Sequence, residues 1–389
     1  MKEGILEFRR DVGPLAYITP SRFSALKGCA LKEVWGANKA PRLLPPAPAG
    51  RLGSAIHRLL QEAGEGRFEA EDGASVERRW QVLIGDTHRA MRRSWLERHL
   101  VPLQRSVPDY EVRHLRVLER AIEITAVASR APERVSTKPI AKRRTYGFEL
   151  PVSSSDGLVR GRIDAVLPSA DGPVIRDYKS GAIFESGPGR FPALKTAHET
   201  QLRLYAALYA ASHGKWPRRL EVVPVAGLAH AVTFDHETCL RLLDQARDAL
   251  REVNRAVAVA ADTPDSLQAQ LATPSPANCA HCPYRPACNP YRRTAAAAPP
   301  GSGWPKDVWG RAEEVRQLGN SKFMIAVQMR DYRVRIRGLT PAAGRHPALT
   351  DLHQGDGVAV YNLESSGSEE TLLESQFTVI YLVPAANGT

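Results

Sequence analysis

The stretch from Gly161 to Gly181 restricts the fold more than any other part of the chain. It reads Gly161-Arg162-Ile163-Asp164-Ala165-Val166 and then Val174-Ile175-Arg176-Asp177-Tyr178-Lys179-Ser180-Gly181, with Pro168-Ser169-Ala170-Asp171-Gly172-Pro173 between. Two apolar-rich runs separated by turn formers predict a β-hairpin. Alternate residues of a strand share a face, so Asp177 and Lys179 point one way and Tyr178 the other. A hairpin can bring Asp164 beside Asp177, gathering two carboxylates and one ammonium at one point. Adjacent carboxylates repel unless a cation lies between them. Hard oxygen ligands suit Mg²⁺ or Mn²⁺. The lysine can orient or deprotonate a water, or stabilise charge building on a phosphate. The competing reading is a surface hairpin carrying a solvated ion pair.

These residues resemble the PD-(D/E)XK nuclease superfamily in its RecB-like branch. There the first acid follows a Gly-x-Ile motif, matched here by Gly161 and Ile163, in place of the proline of the superfamily name. Further segments follow in the order the resemblance requires. Within residues 17–35 Thr19 or Ser21 can cap a helix, with Pro20 near its first turn and Cys29 at or near its end. A second helix begins at Leu52, with Ile56, Leu59, Leu60 and Ala63 as its apolar stripe. His57 sits at the edge of that stripe, where a histidine is commonly structural. The Gly-x-x-x-His pattern resembles the opening helices of RecB-like nucleases, which implies a metal ligand. A strand is expected at 144–152. Its Glu149 matches an acid that precedes the family hairpin by one strand, and reads either as a supporting acid or as a strand-edge charge.

In a helix expected at 198–209, Gln201 and Tyr205 are four apart and share a face. The resemblance implies that they place the lysine and the substrate phosphate; the bland alternative is a buried tyrosine in an amphipathic helix. A strand at 219–225 and a helix at 236–260 follow, with Cys239 an ordinary buried thiol. The arginine-rich stretch 74–130 reads as mostly helical, with most of its arginines on solvated faces.

Cys279, Cys282 and Cys288 fall within ten residues, among prolines. Three thiols so placed call for a metal site with a fourth ligand, and Cys29 is the candidate. One early cysteine with a late triplet resembles the iron–sulfur nucleases of the same branch, including the AddB subunit type and the CRISPR adaptation nucleases. That implies a [4Fe–4S] cluster. Zinc is the competing reading, through four cysteines or with His281 as a ligand. Either group would act as a structural clip closing a long loop.

The 389 residues, 43% of them apolar, suit two or three domains. Lys and Arg outnumber Asp and Glu by 53 to 42, a surplus that points to a polyanionic partner. No run of about 18 apolar residues exists, so no membrane partner is expected. The first residues lack the apolar core of a signal peptide. Five cysteines, three of them clustered, fit a metal site in a reducing cytoplasm better than a disulfide framework.

Residues 293–306 read as linker. Beyond it, strands are expected at 309–318, 322–329, 332–339, 357–363 and 377–383, the first also compatible with helix. Five short strands, with Gly355-Asp356-Gly357-Val358 before one of them, resemble an OB-fold; a small β-sandwich is the alternative. Arg333, Arg335 and Arg337 alternate with Val334 and Ile336, which reads as a phosphate-tracking stripe or as the wet face of a strand.

The expected architecture is therefore α/β: a restriction-endonuclease-like mixed central sheet flanked by helices over 1–292, then a small all-β, OB-like barrel over 307–389. The resemblance implies Mg²⁺ or Mn²⁺ held by His57, Asp164, Asp177 and the Tyr178 carbonyl. It further implies hydrolysis of DNA, single-stranded or at ends, exonuclease action before endonuclease, in repair, recombination or phage defence. A helicase or other complex subunit is the expected protein partner. A non-catalytic DNA-binding scaffold is the rival reading.

Overall fold

The computed structural model describes residues 3–6, 8, 12–69, 72–130, 145–185, 193–260, 264–299, 301–341, 344–368 and 370–383. The first helix, α1 (Pro20–Gly28), starts after Thr19 and ends at Cys29, whose backbone is extended (φ −154°, ψ 101°), and α2 (Ala30–Ala37) follows directly. Then come α3 (Pro48–Gly64), α4 (Gly73–Arg93), α5 (Leu103–Ser106) and α6 (Tyr110–Arg130). The hairpin region forms β1 (Gly147–Ser153), β2 (Arg160–Leu167) and β3 (Val174–Lys179). Next are α7 (Thr196–His213), β4 (Arg219–Pro224), β5 (His230–Ala231) and α8 (His236–Val259). Three short helices, α9 (Pro264–Leu271), α10 (Pro276–Ala280) and α11 (Asn289–Ala296), frame the cysteine triplet. α11 occupies the first four positions of the stretch expected as linker.

The five strands lie in sequence order, β1 to β5. The sheet is mixed: β1, β2 and β3 pair antiparallel, β3 and β4 parallel across the α7 crossover, β4 and β5 antiparallel. A parallel pair needs such a crossover, and a sheet apolar on both faces needs two helical layers. On one face Ile163, Val166, Ile175 and Val222 pack against α1, α7 and α8. On the other, Ala165, Tyr178 and Val223 pack against α3, α4 and α6.

The C-terminal part is a closed barrel of β6 (Lys306–Gln317), β7 (Phe323–Gln328), β8 (Arg333–Leu339), β9 (Gly357–Ser365) and β10 (Thr371–Val383), with a short α12 (Ala348–Asp351) between β8 and β9. The order is β10-β8-β7-β6-β9, closed by a parallel pairing of β10 with β8. β6 is a strand, which settles the helix alternative. β10 starts six residues earlier than expected, because a register shift between Glu374 and Val379 joins two runs into one strand. The N-terminal segment joins this barrel: Leu6 N–H donates to Leu382 O (3.1 Å) and Leu382 N–H to Gly4 O (2.8 Å). Leu43, Leu44, Leu96 and Ala287 share an apolar core with the barrel's Ala359, Tyr361, Val379 and Tyr381.

Candidate active site

The hairpin register pairs Ala165 with Arg176, so the next step along the strands sets Asp164 against Asp177. The backbone ladder stops there. The Tyr178 N–H donates to Asp164 Oδ2 at 2.8 Å, and the acid takes the place of a strand partner. Lys179 Nζ lies 2.7 Å from Asp177 Oδ2 and donates to Gln201 Oε1 at 2.9 Å. Gln201 Nε2 donates to Asp177 Oδ1 at 2.8 Å. Acid, lysine and amide thus form a closed ring that fixes all three. Asp177 is 2% exposed, and its Oδ2 has no hydrogen bond beyond the ion contact.

The electrostatics show how tightly these groups sit. Burial first, and then the Asp177 charge, pushes the Asp164 carboxyl up to about 8. Burial, then Asp164 and Asp177, push the Tyr205 hydroxyl well up, so it stays protonated. His57 is exposed, yet partial burial of its ring and then the Lys179 charge lower it, with Asp177 opposing. The charges of Lys179 and Asp177 thus both reach His57. Burial also raises Glu149, with Arg162 pulling it back, and its charge reaches Asp164.

Two glycines allow this approach. A Cβ on Gly53 would lie 2.8 Å from Ser180 Oγ, so its absence lets α3 sit against the end of β3, one turn before His57. A Cβ on Gly161 would lie 2.7 Å from the Tyr205 ring and 3.1 Å from Pro20, so α7 and α1 reach the strand only because it is bare. The strand pattern changes at the same level. Phe148 and Ala165 pack toward α3, whereas Leu150 and Ile163, two residues away, pack toward α7. Between Phe148 and Leu150, Glu149 has φ 50°, a left-handed conformation that costs energy outside glycine and gathers at functional sites.

Among the described residues, no group of three or more His, Cys, Asp or Glu is closed tightly enough to hold a metal ion. The donor chemistry at the acids nevertheless fits a hard divalent cation: two crowded carboxylates, one with a buried oxygen that among the described residues meets only the Lys179 ammonium. Cys29, Cys279, Cys282 and Cys288 are free thiols lining one small cavity of about 20 Å³ with Trp35, Arg285 and Tyr291. Burial pushes Cys282 up to about 11 and Cys288 up to about 12. A cation would reverse that shift, since a coordinated thiol is deprotonated. His281 lines a neighbouring groove instead of this cavity. Cys239 is buried in α8, apart from the four.

On β8, Arg333, Arg335 and Arg337 are all exposed. Arg333 meets Glu313 at 3.1 Å and Glu314 at 3.5 Å; Arg335 and Arg337 make no ion pair among the described residues. Several helical arginines are paired, as with Arg79 and Glu62 (2.6 Å) or Arg116 and Glu119 (3.1 Å). Sequence reasoning passed over His198. It is shifted down by burial and then by Lys179, and its spacing to Gln201 and Tyr205 (three, then four) marks the same helix face.

Two acids at adjacent strand ends, with a lysine two residues past the second, suit metal-assisted hydrolysis of a phosphodiester. Residues 17–289 match the PD-(D/E)XK nuclease superfamily, and the chain belongs to it. No curated protein and no solved structure matches the chain at comparable significance.

Proposed function

We propose that the chain is a Mg²⁺- or Mn²⁺-dependent deoxyribonuclease of the RecB-like iron–sulfur branch, acting on single-stranded DNA or DNA ends. The observation that carries this reading is the ring of Asp177, Lys179 and Gln201 beside Asp164. His57, Asp164, Asp177 and the Tyr178 carbonyl would hold the ion. Such an ion, when bound, lowers the pKa of water and polarises a phosphoryl oxygen. Lys179, fixed by Gln201, orients the attacking water and offsets charge on the phosphate. Tyr205, kept protonated, offers a hydroxyl donor, and Glu149 is a supporting acid.

The four cysteines would carry a [4Fe–4S] cluster. Support comes from their shared cavity and from the family match, which ends at Asn289 and so includes all four. The cavity's lack of His281 counts against a three-cysteine, one-histidine zinc site. The C-terminal barrel is read as OB-like, supported by its strand order, the parallel closure of β8 with β10 and the helix before β9. Its second and third strands are where OB-folds bind oligonucleotides, and Arg333, Arg335 and Arg337 lie on the third.

The test is degradation of 5′-labelled, 3′-labelled and circular single-stranded DNA by the full chain, with Mg²⁺ and Mn²⁺ compared. Cleavage is expected with either ion, lost in Asp177→Ala and slowed about 10²–10³-fold in Lys179→Ala. Cutting of circles would reassign it as an endonuclease. No cleavage, or full activity in Asp177→Ala, would leave the scaffold reading in its place. Iron and sulfide assays decide between cluster and zinc.

A further inference from the structure

A groove of about 730 Å³ runs beside the acids, between β1, β2 and the segment ahead of α1. Tyr17, Thr19, Glu149, Arg160 and Arg162 line it. Tyr17 is a large aromatic side chain left 45% exposed, although it sits in an ordered part of the fold. Ile18 N–H donates to Leu158 O at 2.9 Å, and Arg160 N–H donates to Ile18 O at 3.0 Å. This short parallel pairing sets Tyr17 and Arg160 side by side. The guanidinium lies 5.2 Å from the Tyr17 ring centroid, and its Nε donates to Gly157 O at 2.7 Å. A ring and a planar cation are thus held together in advance of any ligand.

Arg160 and Arg162 are both exposed, and neither has a carboxylate within ion-pair distance among the described residues. They are the two residues of β2 that precede Asp164 at steps of two. Four strand residues cover ~13 Å, about the rise of four stacked nucleotides. At the far end stands Glu149, which the β1–β2 register sets across from Asp164. An aromatic platform with cations along one wall is how proteins hold unpaired bases and their phosphates. Inside a duplex both faces of a base are covered by its stacked neighbours, so such a platform favours an unpaired strand.

We propose that this groove seats single-stranded DNA next to the scissile phosphate, with an unpaired base stacked on Tyr17 and backbone phosphates against Arg160 and Arg162. The inference rests on the nuclease reading for its substrate, and it is tested separately from cleavage.

Binding of a labelled single-stranded 20-mer and of a hairpin duplex is measured by fluorescence anisotropy in EDTA, using the full chain. Tyr17→Ala is expected to weaken single-strand binding about ten-fold, with Tyr17→Phe and Tyr17→Trp close to wild type and duplex binding unchanged. Arg162→Ala is expected to reduce the slope of log K against log salt by about 0.7, the contribution of one single-strand phosphate. Photo-crosslinking of the unaltered chain to a bromodeoxyuridine oligonucleotide is expected to mark the peptide containing Tyr17. Equal single-strand affinity of Tyr17→Ala and wild type, equal losses in Tyr17→Phe and Tyr17→Ala, or crosslinks confined to other peptides would overturn it. A chain that binds through Tyr17 but cuts nothing sinks the nuclease reading and leaves the groove standing. A chain that cuts normally with alanine at position 17 does the reverse.

Discussion

Asp164 and Asp177 are forced together by register, and that cost should be visible without any assay of activity. Asp164 keeps the Tyr178 N–H as its partner, and an asparagine there can accept the same bond. Asp164→Asn therefore removes the cost of burying a carboxyl there, together with its repulsion from Asp177, and keeps that bond. Its melting temperature in EDTA is expected to exceed that of wild type, the usual exchange of stability for a charged site. Millimolar Mn²⁺ should raise the wild-type melting temperature, since a ligand bound only by the folded state adds about 2.7 kcal/mol at a hundred-fold excess over its Kd. The variant should not respond. Equal responses of both proteins to Mn²⁺ would place the ion elsewhere. At this scale the sequence was legible wherever the partner lies within one element or one hairpin. Asp177, Lys179, Gln201 and Tyr205 follow from steps of two and four. His198 and Tyr17 did not emerge, because a lone histidine or tyrosine gains its meaning from neighbours on other elements.

The helices are held in place by a few buried polar ties. Glu62 of α3 is 1% exposed, and its oxygens meet Arg58 at 2.9 Å and Arg79 of α4 at 2.6 Å and 2.7 Å. The Arg79 hydrogen bond is the largest influence, and the carboxyl lies below its ordinary range. A carboxylate depressed in the folded state stabilises above its unfolded pKa, near 4.5, and loses that contribution as pH falls through the folded value. Glu62→Gln is expected to cost about 1–3 kcal/mol at pH 7, with the gap to wild type narrowing below about pH 4.5. Melts from pH 7 to pH 3 check this; a gap that stays constant would exclude the ion-paired carboxylate as its source. The long helices and the hairpin were readable from apolar period alone. The end of α1 at Cys29 was readable as well, whereas α2, which follows it directly, was not. The alanines and prolines of 293–306 read as linker, yet the first four of those positions are the second half of α11. Its start is secured by the Cys288 sulfur, which accepts from Tyr291 N–H at 3.4 Å, a cap that no composition rule contains.

At the scale of the molecule, the barrel and the nuclease part are joined through the cysteine loop. Arg285, 2% exposed, donates from Nε to Asp307 Oδ2 at 2.6 Å and from Nη2 to Asp307 Oδ1 at 3.1 Å. The same guanidinium donates from Nη1 to the carbonyls of Cys279 and Ala280, each at 3.2 Å. Tyr291 Oη donates to Asp307 Oδ2 at 2.6 Å, and Asn362 N–H to Oδ1 at 2.8 Å. One aspartate at the start of the barrel therefore ties Asn362 of β9 to Arg285 and Tyr291, which flank the cysteines. Removing it leaves a guanidinium buried without its counter-charge, a loss of about 3–5 kcal/mol. Asp307→Ala is expected to split a single calorimetric transition into two, the barrel and the nuclease part melting apart, and to lower the iron or zinc retained on purification. Replacing both partners, Arg285→Met with Asp307→Leu, should recover much of the stability, since apolar groups fill the site without a stranded charge. It should not recover metal retention, because the Cys279 carbonyl has lost its donor. Asp307→Ala melting in one transition at the wild-type temperature would show that the barrel and the cysteine loop are not coupled through this pair.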